Sequence, residues 1–178
     1  SKPIEAAKAY DEAVRAGGAT PDASAVRYAS ARGAELAAAD FLLKGDALSA
    51  VGKLRAAAEL STERVPAVQT RLTEIAGNRK LRGEATAAAI FTLGEIEQRG
   101  GRFPEAIAYY QRVFVSWLKY PAWVARSYLR AAECFDRLGR RKEAIAHLHE
   151  LMRKAERLRG QPEFAEGQRK LREWTPPQ

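Results

Sequence analysis

The chain has 178 residues, a formal charge of +8 and 46% hydrophobic residues, which suits one ordinary domain or a short array of repeats. Alanine and the helix formers Leu, Glu, Lys and Arg dominate, and no stretch alternates apolar and polar residues as a half-buried strand does, so an all-α fold is expected and sheet-based folds are excluded. The single cysteine, Cys134, rules out an internal disulfide, and no apolar run approaches the roughly 18 residues of a membrane span.

In chain order, "PIEAAKAYDEAVRAGG" (3–18) opens with an amphipathic helix spaced by Ala6, Tyr10 and Ala13. With neither an initiator Met nor a signal peptide before it, this opening is what a fragment cut from a longer protein would show. Next, "ARGAELAAADFLLKGDALSAVGKLRAA" (31–57) reads as two helices joined at Gly45, with Ala50 followed four residues later by Leu54. Residues 61–86 are less regular. Val65, Val68, Leu72 and Ile75 mark an apolar helical face, and Ser61 or Thr62 could cap a helix ahead of Pro66. Either 46–76 is one long helix, kinked or interrupted near Pro66, or a separate helix is inserted. The first is preferred because it keeps the hairpins on both sides in step.

"AAAIFTLGEIEQRGGRFPEAIAYYQRV" (87–113) and "ARSYLRAAECFDRLGRRKEAIAHLHEL" (125–151) then share one template, with E-A-I-A repeated after 38 residues. Each breaks at a glycine, Gly101 or Gly139, where a left-handed cap is expected. Ala106 leads to Tyr110, and Ala144 to Leu148, four residues on. Small residues Ala38, Gly94 and Ala132 mark close helix crossings, and Phe41, Phe135, Tyr110, Leu54 and Leu148 fill the space beside them. A mid-helix glycine such as Gly94 costs about 1 kcal/mol against alanine, so packing must offset it. No hairpin of this kind buries its apolar face alone, so neighbours must stack. "QPEFAEGQRKLREW" (161–174) is a final covering helix, and "TPPQ" a frayed end.

This grammar resembles the tetratricopeptide repeat family, and the resemblance implies a right-handed superhelical array of antiparallel helix hairpins. The units are a half repeat at 3–18, repeats at 22–60, 84–121 and 122–158, an irregular or extended helical stretch at 61–86, and a cap and tail at 159–178. Glu97 stands where the family favours an aromatic, and the 38-residue spacing exceeds the roughly 34 usual there. Longer units with a "YPAW"-like junction resemble those of bacterial cell-envelope proteins, which makes a periplasmic or envelope location an expectation.

Enzyme signatures are absent: no phosphate loop, no nucleophile elbow, no Cys/His metal spacing, so no cofactor is expected. His147 and His149 face different directions on a helix, one half-buried and one solvated. Cys134 beside Phe135 reads as an inert buried thiol, and Glu95 and Glu133, at equivalent repeat positions, read as solvated acids before an acid–base pair.

In the proteins that the sequence resembles, the first helix of each pair lines a concave groove holding a peptide or partner helix. Carried over by position, this puts Arg32, Glu35, Phe91, Glu95, Arg99, Arg126, Leu129, Glu133 and Arg137 at or near that groove, with Arg126 and Arg130 one turn apart as a fork for a carboxylate. Glu35, Ala39 and Thr92 occupy positions where some members carry a clamp for a chaperone's C-terminal carboxylate, so that clamp is not reproduced. Phe114, Trp117, Tyr120, Trp123 and Tyr128 crowd one repeat junction, as packing or as binding anchors. From Arg137 to Arg172, eleven basic residues face five acidic ones, whereas residues 1–60 are balanced. The expectation is therefore a non-catalytic protein-interaction scaffold with a protein or peptide partner, acidic by complementarity; the alternative is nucleic acid or another polyanion on the basic C-terminal third.

Overall fold

A computed structural model of the chain describes residues 23–175; the helix expected at 3–18 lies outside them. Among the described residues there is no strand. The helices are α1 (Ala23–Leu43), α2 (Ala47–Leu60), α3 (Val65–Gly77), α4 (Glu84–Arg99), α5 (Phe103–Ser116), α6 (Pro121–Arg137), α7 (Arg141–Arg153), α8 (Ala155–Leu158) and α9 (Pro162–Trp174). Two compact units divide the chain, Ser1–Thr92 and Leu93–Gln178, with the boundary inside α4.

Three turns are built alike. Gly45, Gly101 and Gly139 have φ of 79°, 75° and 73°, the left-handed conformation that favours glycine. At each, the glycine N–H bonds the carbonyl three residues back, Leu42, Gln98 or Asp136. The next N–H reaches five back, Asp46 to Phe41, Arg102 to Glu97 and Arg140 to Phe135, at 2.9 Å each. This double bond pattern closes a helix end and satisfies its last carbonyls. The following helix then starts in the same register, with Ala50, Ala106 and Ala144 donating to the carbonyls of Asp46, Arg102 and Arg140. Only Asp46 adds a side-chain cap, accepting from Ser49 N at 3.0 Å.

In the first unit, α1 packs on α2 and α2 on α3, burying Ala31, Ala38, Ala50, Val51, Leu54, Val68 and Leu72. The long helix preferred for 46–76, kinked or interrupted near Pro66, is in fact two helices parted at Ser61. Ser61 is extended (φ −145°, ψ 121°) and ends α2, a 3-10 turn spans Thr62–Arg64, and α3 is a separate helix with Pro66 in its first turn, where the missing donor is harmless. Accordingly 56 residues separate Gly45 from Gly101, against 38 between Gly101 and Gly139.

Arg64 explains the break. Its Nε and Nη2 grip both carboxylate oxygens of Glu35 on α1, at 2.7 and 2.9 Å, and its guanidinium lies 5.6 Å from the Tyr28 ring centre.

In the second unit, the end of α4 meets α5 at Gly94, where a Cβ would lie 2.7 Å from Tyr110 Cε1. The Tyr110 ring is fully buried, and its hydroxyl donates to Gln98 Oε1 at 2.7 Å. Glu97, the departure from an aromatic, pairs with Arg102 at the turn. Helix α6 packs against α5 and α7, and α9 packs against α7 and α6.

Candidate functional site

Helix α6 fixes the geometry of the clearest surface. Val124, Tyr128, Leu129, Ala131, Ala132, Cys134 and Phe135 are buried. The remaining positions leave Arg126, Arg130, Glu133 and Arg137, at steps of four, three and four, on one stripe. Helix α9 supplies its neighbours. Arg126 Nε donates to Glu163 Oε1 at 2.9 Å, while its guanidinium sits 5.1 Å from the Trp123 ring centre, within cation–π range. Arg130 Nη1 donates to Glu133 Oε2 at 2.9 Å, and Lys170 Nζ lies 3.4 Å from the other Glu133 oxygen. Arg137 is exposed.

Burial is the largest single influence and works against the Arg130 charge, but the hydrogen bond to Glu133 and the attraction of Glu133 and Glu95 together outweigh it, so its pKa rises. Glu163 stands in the first turn of α9, where the helix dipole favours a negative charge; its second oxygen is buried without a hydrogen-bond partner.

The other expected groove residues divide differently. Phe91 and Leu129, 2% and 7% exposed, belong to the core and offer no ring or side chain to a ligand. Glu95 is buried as well, which corrects its reading as a solvated acid. Glu35 is held by Arg64 and by Arg32 Nη1 at 2.7 Å, a structural junction. Beside it, Arg32, Leu42, Leu54 and Arg71 line a hollow of about 120 Å³, room for a side chain and not for a peptide. Arg99 is exposed at the end of α4.

The aromatic cluster divides: Phe114 and Tyr128 are buried, whereas Trp117, Tyr120 and Trp123 are half-buried. Phe114 stacks on Tyr128 with ring centres 4.1 Å apart, and His147 lies 4.7 Å from Phe135. His147 is half-buried, its Nδ1 3.0 Å from the Glu143 carbonyl oxygen, while His149 is exposed. Burial pushes the Cys134 thiol up to about 12, the inert behaviour expected of it. Among the described residues no group of three or more His, Cys, Asp or Glu could hold a metal, and no helix is long and apolar enough to cross a membrane.

Sequence reasoning missed Arg64, Glu163 and Lys170. Glu163, Glu166 and Lys170 share one face of α9 at steps of three and four, a stripe that could have flagged the contact with α6. Arg64 carries no such signal.

No curated protein and no solved structure matches the chain. The sequence profile of the tetratricopeptide repeat does match, over residues 85–157, a stretch that takes in the Gly101 and Gly139 turns and the helices on both sides of each. That stretch is similar to the tetratricopeptide repeat, whose stacked helix pairs serve generally as scaffolds for protein–protein interaction.

Proposed function

We propose that the chain is a non-catalytic scaffold that captures an acidic peptide or partner helix along the α6 stripe. The observation that carries this reading is the charge there. Arg126, Arg130 and Arg137 share one helix face with Lys170 alongside, four cations against the three carboxylates Glu133, Glu163 and Glu166, and Arg137 is exposed with no ion pair among the described residues. An acidic segment laid along α6 would gain from that surplus, and a basic one would be repelled.

Two arginines of the stripe can be reversed without breaking an ion pair between helices, because Arg137 is exposed and the Arg130 ion pair, to Glu133, lies within its own helix. In the full chain, R130E/R137E is expected to weaken binding of a fluorescein-labelled peptide of alternating Glu and Leu by about tenfold or more, with helicity by circular dichroism unchanged. Fluorescence anisotropy reads the affinity. Equal affinity of parent and variant refutes the reading. Tight binding of random single-stranded DNA, lost steeply with salt and abolished by the same variant, would move the function to polyanion binding instead.

A further inference from the structure

The crossing of α7 and α9 leaves a second recess. The helices approach closely at Gly167, where a Cβ would lie 2.8 Å from Leu151 Cδ2 and 3.3 Å from Met152 Cε. Beside that contact an open cleft of about 450 Å³ is lined from α7, the start of α8, Arg159 after it, and α9, within the size range that holds small ligands. Its floor is apolar, made of Met152, Leu171 and Phe164, the last only 5% exposed. Its rim carries His149, Arg159 and Arg172, and no carboxylate lines it.

The rim arginines differ from their neighbours. On the adjoining faces, Arg153 is paired with Glu150 and Arg169 with Glu166 and Glu173. Arg159 and Arg172 are exposed and form no ion pair among the described residues. Glu150, Glu166 and Glu173 are engaged elsewhere, and Glu156 forms no ion pair with either arginine, so two cations stand without a bound carboxylate above an apolar recess.

We propose that this cleft is a second docking site, for a short acidic peptide of a partner protein that buries a leucine- or phenylalanine-sized side chain between flanking carboxylates. Three features favour that occupant. Guanidinium groups on the rim match carboxylates in a geometry that permits paired hydrogen bonds. The unbranched Met152 thioether adapts to a side chain of varied shape. Met152 and Leu171, half-buried over the core residue Phe164, lie in a recess that an inserted side chain enters while a flat bilayer surface does not. The site is separate from the α6 stripe: on α9, Glu163 and Lys170 turn to α6, whereas Phe164 and Leu171 turn to the cleft.

The two histidines make a local reporter. Titrating the full chain with the peptide Asp-Glu-Leu-Phe-Glu-Asp is expected to move the ring-proton NMR signals of His149 and leave those of His147, which sits among Phe114 and Phe135. R159E/R172E should weaken the peptide by about tenfold or more; replacing Leu-Phe by Ala-Ala should weaken it comparably. R130E/R137E should leave the His149 response intact. An unmoved His149 signal overturns the proposal, as does equal affinity for R159E/R172E, or loss of the response in R130E/R137E. A His149 shift with phosphatidylserine vesicles and none with the peptide would assign the cleft to anionic lipid and equally overturn it.

Discussion

Alanine substitution at two helical glycines should change stability in opposite directions. At Gly94 the new Cβ would lie 2.7 Å from Tyr110 Cε1, 3.0 Å from Cδ1 and 3.2 Å from Tyr109 Cβ. Carbon atoms settle at about 3.5–4.0 Å, so the closest contact is short by roughly 1 Å. Nor can the ring swing aside freely, since it is fully buried and its hydroxyl is tied to Gln98. Overpacking of this kind costs about 1–3 kcal/mol, and disturbing the hydroxyl bond adds about 1 kcal/mol. The helix-propensity gain of glycine to alanine returns about 1 kcal/mol, so G94A should be destabilised by about 1–3 kcal/mol net. Gly52 lies inside α2, exposed, with nothing within 4 Å of its Cβ position; G52A should gain about 0.5–1 kcal/mol from propensity alone. Urea unfolding followed by circular dichroism measures both, the midpoint carrying the stability change when the slope is unaltered. A G94A protein as stable as the parent would show that α4 and α5 do not cross at Tyr110. A destabilised G52A would show that the α2 face is covered.

Arg64→Ala removes both bonds to Glu35, a carboxylate with 12% side-chain exposure, and should lower stability by about 1–3 kcal/mol; an unchanged denaturation midpoint would mark the pair as an ordinary surface contact of negligible worth. Cys134 should resist thiol reagents at neutral pH as long as the chain is folded. Its folded pKa, about 12, lies above the roughly 8.5 of an unfolded thiol. The stabilisation from holding that proton is whole below the unfolded value and is lost as pH rises toward the folded one, by about 1.4 kcal/mol per pH unit. Between about pH 9 and pH 11, C134A should therefore lose stability less steeply than the parent; matching slopes would mean the thiol is not buried.

The parts of this fold legible in the sequence are those set by local rules. A glycine needed at positive φ, and an alanine admitting a tyrosine or leucine one turn on, are written within a few residues of each other, and Gly45, Gly101 and Gly139 carry the same bond pattern. What stayed hidden depends on distant partners. The "STERVP" stretch permits either a kink or a break, and the choice rests on Glu35, 29 residues before Arg64. Position-by-position transfer also overreached. It assigned the groove by helix and not by helix face, so Phe91 and Leu129, which point into the core, were grouped with Arg126 and Arg130. The period of 3.6 residues confines the outward stripe of α6 to positions 126, 130, 133 and 137. The Glu163 contact needed knowledge of which face α9 turns to α6.

That contact bears on how an arginine already in an ion pair could serve a partner. Arg126 uses Nε toward Glu163 at 2.9 Å, and the other two guanidinium nitrogens make no hydrogen bond among the described residues. Pulling Arg126 away from Glu163 would strand a carboxylate with 15% side-chain exposure, one of whose oxygens already has no partner. Leaving a buried charge unpaired is costly, so displacement of Glu163 by an incoming carboxylate is disfavoured. Addition is not. With Nε fixed and the planar group over Trp123, the remaining donors are held in a narrowed range of orientations before any ligand arrives. Less side-chain entropy is then lost on binding than for a free surface arginine, whose ordering costs about 0.5–1.5 kcal/mol. On the proposed reading, Glu163 acts as the support that orients Arg126 and not as its competitor, and α9 thereby contributes to the docking face it borders.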